Sequence, residues 1–542
     1  MTLRFAKPAP ETRLTPLTIR HLLDGGERRD LDQEIVYGDR VRLTYRDFRK
    51  RVGRLAAALH GLGVDQGTTV AVLEWDSHRY LECFFAVPMM GAVLQTVNVR
   101  LSPEQVEYTL ADAEAEILLV HQDFLPLVAG MRERLTRVRA IVVLADDAAL
   151  VVPDWADAEY ERLIATAPAT FDFVDFDENA LATTFYTSGT TGRPKGVSYS
   201  HRQLVLHTLA GAAALGGALG PGLRRGDVYM PLTPMFHVHA WGFPYIATMM
   251  GLKQVYPGRF DAARVLRLRQ REGVTFSHCV PTVLRMLVDA LPGVGGDLAG
   301  WHVLTGGSAL SPDLHEAAAA AGVTAVSAFG MSETCPLISL DETRAPGDTI
   351  RSGSPLPLVQ IRIADDRLDG VPADDQSLGE LVLRAPWLTA SYRGDEAASE
   401  DLWRGGWLHT QDIATMDERG SILIRDRLKD LVKTGGEWIC SLTLEALLSS
   451  HPKVGEVAVV GVPDPKWQER PVAVVVAKDG EAPSAADLNA WLSPAVTRGE
   501  LSRYALLDAV HARPALPRTS VGKIDKKALR AELAAGSGGA RP

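Results

Sequence analysis

Residues 187–196 read TSGTTGRPKG. Three glycines, Gly189, Gly192 and Gly196, let the backbone turn sharply and approach a ligand without Cβ clashes. Four hydroxyl residues, Thr187, Ser188, Thr190 and Thr191, bring donors, and Lys195 brings a positive charge. Backbone N–H groups, hydroxyls and an ammonium gathered in so short a string suit a polyphosphate. A generic Gly/Ser/Thr stretch is most often a surface turn; the combination with the lysine favours a phosphate loop. It is not a Walker A loop, because GxxxxGK followed by Ser or Thr is absent.

On either side of this loop, through the first four hundred residues, short apolar runs alternate with helical patterns. The run VAVL at 70–73 predicts a buried strand and 80–90 a helix, while 117–120 and 140–144 predict two more strands. Such alternation argues for an α/β fold with largely parallel sheets. Around 381–383 strand alternation and turns increase, which predicts a smaller β-rich part. The Ala- and Gly-rich stretch 209–219 is short and reads as buried or loop-forming. The pattern changes near Asp426. DRLKDLVKTGGEWI, 426–439, is charged and then glycine-rich; a helical pattern follows at 442–450, then β-type runs at 454–462 and 472–476. The chain is therefore expected to divide into a large α/β N-terminal domain, 1–426, of layered sheets and helices, and a small α+β C-terminal domain, 427–542.

A length of 542 residues exceeds what one compact core organises. The 46% hydrophobic and 23% charged composition is that of a soluble globular protein. A formal net charge of −10 gives no basic face for nucleic acid. The N-terminus lacks the apolar run of a signal peptide, and no stretch approaches the roughly 18 apolar residues a spanning helix needs. Cys83, Cys279, Cys335 and Cys440 follow no metal-ligand spacing, which suits reduced thiols in a cytoplasm. The tail, LAAGSGGARP at 533–542, is expected to fray.

The string at 187–196 resembles the phosphate loop of the acyl-adenylate-forming (ANL) superfamily, which holds acyl-CoA synthetases, adenylation domains of peptide synthetases and beetle luciferases. Further motifs stand downstream in that family's order. PMFHVHAWG at 234–242 is similar to the segment beside the acyl pocket; the resemblance puts His237 near the carboxylate and Trp241 on the acyl tunnel. TGGSAL at 305–310 is similar to the stretch bordering adenine and the acyl chain, which marks Gly307, Ser308 and Ala309. FGMSET at 329–334 implies an aromatic ring and backbone near adenine, Phe329, Gly330, Met331 and Ser332, and a carboxylate for Mg²⁺, Glu333. Relatives mostly carry Tyr where Phe329 stands. Mg²⁺ is held by one or two carboxylates plus substrate phosphates, and Thr190 is the implied second protein ligand. Pro336, just beyond, belongs with the acyl pocket.

GWLHTQDIA at 406–414 departs from the usual Thr-Gly-Asp by carrying Gln411 where glycine is usual; Asp412 keeps the role of acceptor for the ribose hydroxyls, with Arg427 beside it. Lys429 matches the family's hinge. KTGGEWI at 433–439 contributes Lys433, and Cys440 replaces the Ser that many fatty acyl-CoA synthetases carry; it reads best as a small buried residue. PRTSVGKIDK at 517–526 contains Lys523, matching the family's catalytic lysine, whose ammonium bridges the acid carboxylate and the ATP α-phosphate.

The resemblance implies an ATP- and Mg²⁺-dependent enzyme that forms an acyl-AMP from a small-molecule carboxylic acid. After the small domain has rotated about Lys429, the acyl group passes to coenzyme A. The motifs look most like the medium- and long-chain fatty acyl-CoA synthetase branch, which also includes enzymes for short methylthio-acids; aryl and cinnamic acids stay open. Two rivals stand beside this: a stand-alone adenylating enzyme serving a separate carrier protein or another nucleophile, and a non-catalytic relative, against which Lys195, Glu333, Asp412 and Lys523 argue. Relatives are often homodimers, and the resemblance leaves that state open.

Overall fold

The computed structural model describes residues 3–13, 15–24, 31–187, 193–218, 222–342, 348–435, 437–478, 480–518 and 524–536. Among the described residues the strands form four sheets. The first has seven strands and is parallel except for its last pair. Its centre, Thr69–Leu73, is flanked by Val93–Thr96 and Ala115–His121, with Ala140–Leu144 beyond. Every residue of Thr69–Leu73 and of Ala140–Leu144 is buried, as the continuous apolar runs predict for strands covered on both faces. The predicted helix over 80–90 is His78–Met89, started by the Ser77 hydroxyl accepting from the Tyr80 amide.

The second sheet has nine strands. Its heart is a parallel run in the order Lys253–Tyr256, Val228–Pro231, Phe276–Cys279, Trp301–Thr305, Val323–Gly330. The β-rich part expected around 381–383 is a third, antiparallel sheet of four strands: Gln360–Ala364, Gly379–Arg384, Leu408–Met416 and Ile422–Arg427.

The fourth sheet gathers Glu437–Ile439, Val432–Thr434, Gln468–Ala477, Val454–Asp464 and Ala509–Ala512. The helices Ser441–Ser449, Ala485–Thr497 and Lys526–Gly536 pack against it in an α+β arrangement. Its junction with the third sheet is charged. Asp426 accepts from the Ser441 amide, and Arg530 pairs with Asp430. Lys526 Nζ lies 2.7 Å from both Ser441 Oγ and Glu445 Oε1.

One expectation is corrected. Residues 209–218 of the Ala/Gly tract, with residue 219 lying outside the described residues, are neither a loop nor fully buried: they form the second half of the helix His201–Ala218, in which Leu209 is exposed. Its small residues serve close packing. A Cβ on Gly211 would lie 3.0 Å from Ile246 Cδ1 of the helix Phe243–Met250, so this glycine lets the two helices approach.

What positions the site is strand polarity. Thr233, Val280, Gly306 and Gly330 line one cavity, and each stands at the carboxyl end of one of four neighbouring parallel strands of the second sheet. Asp76, Arg100 and Thr187 line the same cavity just beyond the carboxyl ends of Thr69–Leu73, Val93–Thr96 and Leu181–Tyr186 of the first. Open α/β sheets bind ligands at this edge, and here the edges of two sheets face a shared space.

Candidate active site

The shared cavity has a volume of about 770 Å³. Thr187 and Lys195 line it, and the Thr187 amide donates to the Lys195 carbonyl at 2.9 Å, closing the two ends of the 187–196 loop. Ser188, Gly189, Thr190, Thr191 and Gly192 lie outside the described residues. The Lys195 ammonium sits 4.5 Å from the centroid of the Tyr392 ring and 3.8 Å from Asp395 Oδ2. On the same tyrosine, the hydroxyl donates to Glu333 Oε1 at 2.6 Å. Burial, with Glu333 adding to it, pushes the Tyr392 phenol well above its usual range, so it stays a donor. A hydrogen bond to a charged acceptor is worth about 1.5–3 kcal/mol.

Glu333 is itself held by backbone. The turn Ser332–Thr334 is tied down by Tyr199, whose hydroxyl donates to the Ser332 carbonyl at 2.6 Å, and by Trp387, whose indole donates to the Thr334 carbonyl at 3.1 Å. Thr389 adds an amide to the Glu333 carbonyl at 3.1 Å. Phe329, Gly330, Met331, Ser332 and Pro336 all line the cavity. Only glycine fits at Gly330, since a Cβ there would come within 1.8 Å of the Pro336 carbonyl oxygen. Gly307 also lines the cavity, whereas Ser308 and Ala309 are exposed and stand outside the lining.

At the ribose-motif end, Gln411, Arg427 and Lys429 line the cavity; Asp412 is buried just behind, with its Oδ1 3.3 Å from Arg427 Nε. Gln411 has φ +59°, the left-handed region that costs a side-chain-bearing residue roughly 1–2 kcal/mol. Its backbone is pinned there: its amide donates to Glu380 Oε1 at 3.0 Å, and its carbonyl accepts from Leu428 at 2.8 Å. The glycine usual at this position thus has its geometry reproduced at a cost in strain.

His237 and Trp241 also line the cavity. Four consecutive non-glycine residues, Val238, His239, Ala240 and Trp241, have φ between +47° and +59°, and Gly242 follows at +77°. Each costs roughly 1–2 kcal/mol. Burial of Val238 and Trp241 offsets part of this, since a fully buried large apolar side chain contributes about 1.5–3 kcal/mol. The turn is a strained element kept by its core contacts.

Three further residues belong to the site although no motif marked them. Tyr392 stands in an unpatterned SYRGD stretch. Asp76 and Arg100 stand three and four residues beyond the ends of the parallel strands Thr69–Leu73 and Val93–Thr96, and a charged residue soon after such a strand is the signal that finds them. Asp76 is 8% exposed, and its Oδ1 accepts the Met235 amide at 2.7 Å. Burial raises its carboxyl to about 7, with Glu74 adding and Met235 and Arg100 opposing.

From the small sheet's side, Arg518 lines the cavity and reaches Thr282 Oγ1 at 3.4 Å, while its other nitrogen meets Glu456 Oε1 at 2.6 Å. Arg518 and Ile524 form a β-bridge; Lys523, next to that bridge in sequence, lies outside the described residues. Lys433 is exposed and away from the cavity, its ammonium 5.2 Å from the centroid of the Trp438 ring. Cys440 precedes the helix Ser441–Ser449, and burial pushes its thiol up to about 12, the state of an inert small residue. No group of three or more His, Cys, Asp or Glu side chains is arranged around a metal among the described residues. None of the described helices is long and apolar enough to cross a membrane.

Comparison with known proteins agrees with this geometry. Residues 25–393 match the family model described as AMP-binding enzyme, and 443–523 match that of the AMP-binding enzyme C-terminal domain. The chain is 43% identical to a long-chain-fatty-acid–CoA ligase of Thermus thermophilus, over 95% of this chain and 94% of that one. It is 36% identical to a 3-methylmercaptopropionyl-CoA ligase of Ruegeria pomeroyi, over 96% and 97%. Among solved structures, the anthranilate CoA ligase AuaEII in complex with anthranoyl-AMP superposes with a TM-score of 0.85 at 26% identity, covering 98% of this chain and all of that one (100%). A cavity at the carboxyl ends of two sheets, lined by Thr187, Lys195 and a carboxylate held by Tyr392, thus occurs in a chain that belongs to the AMP-binding enzyme family, the acyl-adenylate-forming superfamily.

Proposed function

We propose that this chain activates a fatty or short methylthio-alkanoic acid with ATP and passes the acyl group to coenzyme A. That it is an AMP-forming acid–CoA ligase rests on the two family models and on the CoA ligases it resembles along nearly their whole length. The observation that carries the mechanism is convergence. Lys195, Glu333, Arg427, His237 and Arg518 come from separate segments and meet around one cavity, the first three with their charge or hydrogen-bond partners beside them.

In the first step a carboxylate oxygen attacks the α-phosphorus, the bond to the β-phosphate oxygen breaks, and pyrophosphate leaves. Such transfers depend on positioning and charge neutralisation. Thr187, Ser188, Gly189, Thr190, Thr191, Gly192 and Lys195 hold the phosphates in this reading. Gly307, Phe329, Gly330, Met331 and Ser332 border the adenosine, and Asp412 with Arg427 takes the ribose; Ser308 and Ala309, expected beside Gly307, are exposed outside the lining and are left out of this reading. His237, Trp241, Gly307 and Pro336 receive the acid. A buried carboxylate with one oxygen on Tyr392 fits Mg²⁺, which takes few protein ligands beside substrate phosphates; Glu333 and Thr190 would hold it. When bound, the ion neutralises phosphate charge.

Lys523 bridges carboxylate and α-phosphate in this step. The cavity-lining position of Arg518, which shares the motif 517–526 with Lys523, and the exposure of Lys433 support an adenylate-forming orientation of a C-terminal domain, 427–542, on an N-terminal domain, 1–426. Rotation about Lys429 then brings the Lys433 face in. The CoA thiolate attacks the acyl carbon, the anhydride C–O bond breaks, and AMP leaves. Four free cysteines suit a reducing cytoplasm.

The experiment is AMP release from Mg-ATP across short, medium and long fatty acids, 3-methylmercaptopropionate and cinnamates, with and without CoA. AMP that requires both an acid and CoA is the expected outcome. Acid-dependent pyrophosphate exchange with no response to CoA would transfer the activity to a carrier protein or another nucleophile.

A further inference from the structure

The wall of the cavity formed by Trp75, Asp76 and the segment 257–260 takes no part in the reaction as read above. It is fixed from behind. Glu74, fully buried, accepts from Arg79 Nε at 3.0 Å and from Nη2 at 2.6 Å, and Arg79 also donates to Asp146 Oδ1 at 2.8 Å. On the other side of Trp75, the Asp76 carboxyl holds the Met235 amide, and the Asp76 carbonyl accepts the Gly258 amide at 2.9 Å. Trp75 between them is half-buried, and its ring has two ties of its own. The indole Nε1 donates to Asp123 Oδ2 at 2.9 Å, and the ring leans on Phe124 with centroids 5.0 Å apart.

Arg259 stands where this wall reaches solvent. Pro257, Gly258 and Phe260 around it line the cavity, while Arg259 is exposed, its guanidinium carbon 5.7 Å from the centroid of the Trp75 ring. Among the described residues it has no carboxylate and no hydrogen-bond partner. Arg100, the other cation of this wall, feels the charge of Asp76. An exposed arginine is ordinarily just solvated. One set over a fixed indole at the rim of a ligand cavity offers a cation and an aromatic surface side by side. That pairing suits a phosphorylated purine: the guanidinium takes phosphate, and the ring takes the base. The Met235 amide on Asp76 also ties this wall to the segment 234–238, where His237 lines the same cavity.

We propose that Trp75 and Arg259 form the subsite for the nucleotide end of coenzyme A. Its phosphates meet Arg259, its adenine packs on the indole, and the pantetheine arm runs past Asp76 toward His237. The proposal rests on the ligase reading above, in which ATP has residues of its own in Lys195 and Asp412. It also names the feature by which the enzyme tells coenzyme A from a carrier protein, whose pantetheine arm carries no adenine nucleotide.

The test is the thioester step alone, from the purified acyl-AMP of the acid selected by the panel above. Coenzyme A and pantetheine are compared as acceptors in the wild type, Arg259→Ala, Arg259→Lys and Trp75→Leu. The wild type is expected to prefer coenzyme A by at least about a hundredfold in kcat/KM, as two such contacts together supply. Arg259→Ala should raise the KM for coenzyme A about tenfold and leave that for pantetheine within about twofold, since one charge-assisted contact to phosphate is worth roughly that much. Arg259→Lys should recover part of the loss, and Trp75→Leu should also cost about tenfold with coenzyme A. A loss shared equally by the two acceptors would mean a structural role and overturn the subsite. So would a wild type that uses pantetheine as well as coenzyme A, or a raised ATP KM of Arg259→Ala in pyrophosphate exchange. Arg259 is exposed, so its variants decide the matter even where Trp75→Leu fails to fold. A wild type that forms the adenylate but no acyl-CoA overturns the ligase reading, and the subsite with it.

Discussion

The Tyr392 hydroxyl donates to Glu333 Oε1 at 2.6 Å while the Lys195 ammonium rests on the face of the same ring. One side chain therefore orients both a carboxylate fit for Mg²⁺ and a cation fit for phosphate. Losing the hydroxyl removes a partner of the carboxylate without emptying the space under Lys195. Outer partners of metal-holding side chains typically contribute 10–100-fold to metal affinity. Tyr392→Phe is expected to raise the Mg²⁺ concentration for half-maximal adenylation at least about tenfold, with Tm nearly unchanged. A Mg²⁺ titration of pyrophosphate exchange checks it; an unchanged half-saturation point would remove Tyr392 from this role.

Gln411 raises a different question, because its strain is local. A glutamine at φ +59° pays a backbone cost that glycine does not, while the hydrogen bonds of its amide and carbonyl are available to glycine equally. Gln411→Gly is therefore expected to stabilise the fold or leave it neutral, within about 1 kcal/mol, since relief of strain is opposed by extra freedom in the unfolded chain. The ATP KM should stay within a few-fold. A large fall in KM would mean that the glutamine side chain obstructs the ribose site.

The contrast between Gln411 and Tyr392 shows what the sequence carries. A motif marks residues where the backbone path is itself constrained, so Thr187, Lys195, the FGMSET turn and Gln411 are legible as parts of strings, and they line the cavity. Buried strands at 70–73 and 140–144 are legible too, because continuous apolar runs have little other use. Tyr392 and Asp76 are not, since each gains its meaning from a residue more than fifty positions away, Glu333 and Met235. The tract 209–219 misleads for a related reason. Its glycines look like breakers until Ile246 is seen lying against one of them.

Asp76 gives a prediction with a sign. Its carboxyl is raised from the usual 3.8 to about 7, first by burial. Between about pH 4 and 7 the folded chain holds a proton that the unfolded chain has lost, so the stability tied to this group falls as pH rises through that window and levels off above it. Asp76→Asn keeps an oxygen for the Met235 amide and has no charge to bury. Its stability advantage over the wild type should thus grow from pH 5 to pH 8, by on the order of 1–3 kcal/mol. Thermal unfolding of both proteins at the two pH values measures it, and an equal gap at both would show that Asp76 ionises without penalty.

In the proposed reading Lys433 and Lys523, near the two ends of the segment 427–542, serve different half-reactions. Arg518, in the motif that holds Lys523, faces the cavity, while Lys433 is exposed, over Trp438. If one domain presents these faces in turn, the variants must fail in opposite steps. Lys523→Ala should lower adenylation by at least about a hundredfold, since one charge aimed at a transferring group is worth roughly 10²–10³. It should still convert supplied acyl-AMP and CoA to acyl-CoA at a rate near the wild type's. Lys433→Ala should do the reverse, leaving pyrophosphate exchange intact and slowing thioester formation. Both half-reactions can be followed in one assay series, exchange without CoA and acyl-CoA formation from purified acyl-AMP. Equal loss of the two steps in either variant would mean that the domain holds a single orientation through the cycle, and the hinge at Lys429 would have no work to do.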